Sequence, residues 1–160
     1  MADLGAMALL LGLALSAYSV IGSAIGVKIG MPALIVSARR ALYMTTLAAA
    51  VASAALINAF VQNDFSIKYV ADHSNSVMER AFVWVAFYSG NEGSLLYIVL
   101  ALGVMSALAI RFAPKRMAPS MPWTIAVLAA VQLFYFFVLS FFASPFELLE
   151  TIPVDGRGIN

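Results

Sequence analysis

The sequence predicts an all-α integral membrane protein, and three observations carry that prediction: 63% of its 160 residues are hydrophobic, only 11% are charged, and the apolar residues gather into four long runs. A soluble domain carries about 45–50% apolar and about 25% charged residues. A chain this small could not bury so large an apolar excess in water, because its surface is too large for its volume. A lipid phase removes the difficulty.

About 20 residues at about 1.5 Å each cross the roughly 30 Å of hydrocarbon in a bilayer. Residues 4–27, 41–61, 94–110 and 122–143 meet or approach that length, and tyrosine is the only ionisable side chain in them. The third run is at the short limit and extends to 112. Met1-Ala2-Asp3 has no basic residue and the run behind it is too long for a signal-peptide core, so Leu4 onward reads as a retained spanning helix. Small residues at helical spacing, Ala48, Ala52 and Ala55 in the second run and Gly22 and Gly26 in the first, favour close helix contact in lipid. The connections "MPALIV" and "FAPKRMAPSMP" contain prolines and read as plain turns, with Pro122 in the first turn of the last span.

Charge gives a direction. Lys28, Arg39 and Arg40 fall in the first connection and Arg111, Lys115 and Arg116 in the second, whereas all eight carboxylates lie in the other segments. The positive-inside rule then predicts cytoplasmic short connections, with both termini, the long loop 62–93 and the tail 144–160 on the outer side. The whole chain reads as a single membrane module. There is no cysteine, which excludes disulfides, thiolate metal sites and c-type haem attachment on this chain. A net charge of +1 without a basic, aromatic-rich segment gives no nucleic-acid footprint.

The outer loop is too long to be structureless. "SVME", Ser76 to Glu79, fits a capping box that would open a helix over about 77–89. That helix is too short to cross, so it lies along the outer interface or packs on the bundle, with Phe82, Trp84, Phe87 and Tyr88 at the lipid boundary. Asn91 is an acceptable cap for the third span, with Glu92 beside the positive end of its dipole. His73 is the only histidine. An outward imidazole could ligate haem or a metal or move a proton, although without a second histidine a solvated or hydrogen-bonding role fits it better. No nucleophile–base pair, phosphate loop or paired carboxylates emerge, and no ionisable group inside a span marks a transport path.

The run "NAFVQNDFSIKYVADHSNS", then "GNEGSLL", then "ASPFELLETIPVDGRGIN" closely resembles, in that order and spacing, the N-terminal region of the CcmF/NrfE family, membrane subunits of the system I cytochrome c haem lyase. The motif-bearing part runs from Asn58 to Asn160, while the first two spans match in hydrophobicity and length. The resemblance implies a protein that accepts haem at the outer face of the cytoplasmic membrane, joins it to the cysteine pair of an apocytochrome c and holds a haem b in its bundle. It implies as partners a haem chaperone, apocytochrome c and the remaining lyase subunits or C-terminal portion. The family's tryptophan-rich segment and haem-ligating histidines lie beyond the matched part, so haem is not expected to be ligated by this chain alone.

Carried over by position are Asn63, Asp64, Phe65, Tyr69, Val70, Ser74, Asn75 and Ser76 in the first motif, Glu92, Gly93 and Ser94 in the second, and Gly156, Arg157 and Asn160 in the third. Arg157 is expected to pair with a carboxylate such as Asp64 or Glu92, or with a haem propionate, because its planar fork suits either. Asn91, Ile98 and Gly158 depart from the family's histidine, tryptophan and acidic residue. The function expected is an N-terminal module or split subunit of a haem lyase. The alternative is a structural membrane subunit of a respiratory or photosynthetic electron-transfer complex.

Overall fold

The structure, a computed structural model, describes residues 1–79 and 82–158. It is all-helical: α1 (Ala2–Lys28), α2 (Pro32–Val61), α3 (Lys68–His73), α4 (Val83–Ser89), α5 (Asn91–Arg111) and α6 (Met121–Phe141). Of these, α1, α2, α5 and α6 are long and apolar enough to cross a membrane, and the protein is an integral membrane helical bundle. α1 packs along α2 and α6, and α2 and α6 each meet α5, so the four long helices close around one another.

Lipid tails are as apolar as leucine, so close packing, not hydrophobic transfer, holds such a bundle together. The residues expected to allow this do so: Ala48, Ala52 and Ala55 are buried, and a Cβ on Gly22 would stand 3.3 Å from that of Ala38. The interior also holds polar groups. Ser19 Oγ donates to the Ala38 carbonyl at 2.9 Å. Thr45 Oγ1 lies between the Leu42 carbonyl, 2.7 Å away, and Gln132 Oε1 on α6.

Three expected boundaries are corrected. α2 begins at Pro32 and not near 41, so Arg39 and Arg40 lie inside a helix that rises about 45 Å. Proline at the first helical position gives up an amide proton that has no partner there anyway, so it starts this helix where the sequence suggested a break. The third span starts at Asn91, with Gly90 in place of Asn91 as its cap, and the helix expected over 77–89 runs only from Val83 to Ser89. Arg80 and Ala81 lie outside the described residues. The capping box does not form, because Ser76 is engaged by Asp155 instead.

Between α2 and α4 is α3, a six-residue helix that the sequence pattern did not reveal. Its Tyr69, Val70 and Ala71 are buried. α4 buries Val83, Ala86 and Phe87 against α2 and α5, leaving Trp84 and Tyr88 exposed. The chain after α6 folds back over α3, where Ile67 and Leu148 form an antiparallel bridge. Lys68 N–H donates to the Glu147 carbonyl and Leu149 N–H to the Ser66 carbonyl, each at 2.9 Å. α3, α4, the head of α5 and this strap form a cap on one end of the bundle. Lys28, Arg39, Arg40, Arg111, Lys115 and Arg116 lie toward the opposite end, in and beside the helix ends there.

Candidate functional site

The three sequence motifs meet in the cap, with α3 as their common partner. The first motif begins by ending α2. Asn63 has φ 50°, a left-handed conformation that asparagine tolerates. Its N–H donates to the Phe60 carbonyl at 3.2 Å and that of Asp64 to the Ala59 carbonyl at 3.0 Å, the paired bonds of a Schellman helix end. Asp64 Oδ1 then accepts from Ser66 N at 3.3 Å and Ser66 Oγ at 2.5 Å, turning the chain into α3. Asn63 and Asp64 thus shape a turn by their backbone and local bonds.

Tyr69 joins the first motif to the second. Its hydroxyl donates toward the carbonyls of Phe87, at 3.1 Å, and Ala86, at 3.3 Å, and accepts the Gly90 N–H at 3.1 Å. Burial holds its pKa above the usual 10.0, with the nearby charge of Glu92 acting in the same direction and the Gly90 amide opposing. Gly93 is buried against it: a Cβ there would collide with the Phe87 carbonyl and the Tyr69 hydroxyl, so only hydrogen fits. Ser94 Oγ donates to the Tyr88 carbonyl at 2.7 Å, tying α4 to α5.

The third motif meets the C-terminal end of α3. Asp155 accepts from Ser76 N and Ser76 Oγ, each at 2.8 Å, and from Gly156 N at 2.8 Å. These bonds, the Ser76 amide foremost, pull its pKa below 3.8. The amides of Arg157 and Gly158 donate to the carbonyls of Ala71 at 2.8 Å and Ser74 at 3.1 Å. Ser74 Oγ is buried on the Val70 carbonyl at 2.8 Å. A Cβ on Gly156 would strike the Ser74 carbonyl, so close passage of the strap requires glycine. Asn75 sits beside Gly158, and Asn160 lies outside the described residues.

The expected Arg157 pairing is corrected. Its guanidinium meets Asp72 at 3.3 Å, and neither Asp64 nor Glu92. Asp64 is occupied by Ser66, and Glu92 lies at the head of α5, whereas the strap brings Arg157 over α3 beside Asp72. Sequence reasoning also missed Asp155, whose signal was an acidic residue directly before Gly156 in a loop, where a carboxylate readily collects backbone amides. The Lys68–Glu147 pair, at 3.1 Å, was missed as well.

For bis-histidine haem ligation this chain offers at most one of the two imidazoles. His73 is the one histidine and there is no cysteine. Its Nδ1 bonds the Tyr69 carbonyl at 2.9 Å. Its ring lies on that of Tyr69 with centroids 4.4 Å apart, and its Nε2 faces Gly90. Among the described residues no cluster of three His, Asp or Glu side chains could hold a metal ion. Beside the cap, a cleft of about 600 Å³ opens between α2, α4 and α5, walled by Trp84, Phe87, Tyr88 and Tyr97 with Ser53 and Ser94 at its polar points.

A four-helix membrane base carrying a cap of this construction has counterparts among cytochrome c biogenesis proteins. No family model matches the chain. CcmF from Escherichia coli K12, a cytochrome c-type biogenesis protein, is 31% identical over 160 residues, covering 98% of this chain and 24% of that protein. CycK of Rhizobium meliloti is 30% identical over 158 residues, or 99% of this chain and 23% of its own. NrfE of Haemophilus influenzae is 28% identical over 99% of this chain and 25% of its own. The solved structure of the cytochrome c haem lyase CcmF superposes on 94% of this chain with a TM-score of 0.80 at 29% identity, using 25% of that chain.

The chain therefore belongs to the CcmF/NrfE family, as a counterpart of its N-terminal portion. It spans about a quarter of the length of the relatives it matches.

Proposed function

We propose that this chain is the N-terminal module, or a split subunit, of a cytochrome c haem lyase: a membrane base that supports haem handling and haem attachment to apocytochrome c at the outer face. The observation that carries this reading is the convergence of all three motifs on α3. Tyr69, Ser74, Ser76, Ser94 and Asp155 spend their polar atoms within the cap, so these residues build a platform and leave haem ligation to the remaining lyase polypeptide. The cap faces the non-cytosolic side of the cytoplasmic membrane, α4 lies at the outer interface, and both chain ends are outside. Support for that orientation is the segregation of Lys28, Arg39, Arg40, Arg111, Lys115 and Arg116 at the other end of the bundle. Apocytochrome c and a haem chaperone would be met above the cap. Biogenesis proteins as relatives favour this reading over an electron-transfer subunit.

The test is affinity purification of the tagged chain from membranes. Cytochrome-maturation polypeptides are expected to accompany it, and the isolated chain is expected to lack a bis-histidine haem spectrum. Stoichiometric haem b on the chain alone, or stable association with respiratory or photosynthetic redox subunits in place of maturation partners, overturns the proposal.

A further inference from the structure

At the basic end of the bundle a cleft of about 280 Å³ opens between α2, α5 and the start of α6. Three cations from separate elements line it: Arg39 from within α2, Arg111 from the last position of α5, and Lys115 from the short 3-10 turn Lys115–Met117. Ala113 and Pro114, with the edges of the largely buried Ile110 and Met121, supply the apolar part of its lining. Arg39 stands about 11 Å along α2 from Pro32, below the helix end. Its Nε is buried and has no hydrogen-bond partner.

Nothing among the described residues balances this charge. The eight carboxylates all belong to the opposite end or to the segments around it, and the two ion pairs among the described residues, Lys68–Glu147 and Arg157–Asp72, lie in the cap. Like charges gathered at a membrane boundary repel one another. A guanidinium lining a cleft suits the oxygens of a phosphate. The charge must come from outside, and headgroups are the anions present at this depth.

We propose that this cleft binds the headgroup phosphate of an anionic phospholipid, with Arg39 as its central ligand, Arg111 and Lys115 closing over it, and the glycerol and upper acyl carbons against Ala113, Pro114 and the edges of Ile110 and Met121. The position of the cleft at the end of a membrane-spanning bundle, with apolar side chains beside its cations, favours a lipid over a free phosphate ion.

Native mass spectrometry of the detergent-purified chain, titrated with phosphatidylglycerol and with phosphatidylcholine of the same acyl chains, tests this. Phosphatidylglycerol is expected to bind at least about tenfold more tightly, and Arg39→Gln or Arg111→Gln to lower that preference about fivefold each, the usual contribution of one basic residue at an anionic surface. Arg40→Gln, on the exposed neighbour that does not line the cleft, is expected to leave it unchanged. Equal affinity for the two lipids overturns the proposal. So does an Arg40→Gln loss as large as that of Arg39→Gln, which would mean diffuse surface attraction, or retention of inorganic phosphate in preference to the lipid. Should Arg39→Gln fail to fold, Arg111→Gln, an exposed side chain, decides the matter.

Discussion

Gly93 lies so close beneath the phenol of Tyr69 that a methyl group on its α-carbon would overlap both that hydroxyl and the Phe87 carbonyl. The contact locks the head of α5 to α3. Gly93→Ala is therefore expected to destabilise the cap by about 1–3 kcal/mol, the range for overpacking a filled site. Limited proteolysis in detergent should cut near α4 sooner, with the long helices still protected.

Tyr69→Phe keeps the ring packed against Phe60, whose centroid is 5.7 Å away, but removes the hydroxyl that accepts the Gly90 amide proton. Leaving buried groups unpaired costs about 1–3 kcal/mol. Thermal unfolding should shift down and hydrogen exchange at Gly90 should quicken. The pH response has a definite sign. A phenol whose folded pKa is raised above 10.0 contributes stability that is complete below that value and lost as pH rises toward the folded one. The variant should not show that alkaline loss.

Asp155 gives the opposite sign. Its folded pKa is depressed below 3.8, so its contribution is complete above that pH and disappears as acid protonates the carboxylate. The strap should stay docked at neutral pH and loosen only below about pH 4, read as faster exchange of the Ser76 and Gly156 amides. Asp155→Asn should release those amides at every pH, whereas Asp72→Asn should change exchange little, because its partner Arg157 is largely exposed.

Gln132 presents a milder case. Its Oε1 takes the Thr45 hydroxyl, but its Nε2 is buried without a partner, and Thr45 retains the Leu42 carbonyl. Hydrogen bonds between membrane helices average about 0.6 kcal/mol. Gln132→Leu is expected to alter stability by less than about 1 kcal/mol, with the lost bond offset by removal of the unpaired amide. Reversible unfolding in mixed micelles measures it.

Because the chain has no cysteine, single thiols report topology without background. Asp64→Cys is expected to react with an impermeant maleimide from the non-cytosolic side and Arg116→Cys only after the membrane is opened. Both in one compartment would refute the proposed orientation.

The four spans were legible because an uninterrupted run of about 20 apolar residues has little physical use except to cross a bilayer as a helix. The end of α2 toward Pro32 was not, since Arg39 and Arg40 look like loop residues until the helix is seen to run past the apolar zone. α3 was hidden for a different reason: six residues are less than two helical turns, too few for a period to register, and its burial depends on a strap some 80 residues away. The motif residues were found through resemblance. Their partners were not, because Ser76 can serve as a helix cap or as a ligand of Asp155, and only the fold decides between local and distant bonds. Arg157 was correctly expected to seek a carboxylate, but linear sequence ranks Asp72 no higher than Asp64.

The strap leaves the ribosome after all four long helices, yet the bonds it makes to Ser66, Lys68, Ala71, Ser74 and Ser76 complete a cap whose first half was synthesised long before. Those early residues must wait, incompletely bonded, until α6 has been threaded through the bilayer and the segment behind it has reached the same side. Closure of the cap thus reports that insertion of these helices has finished.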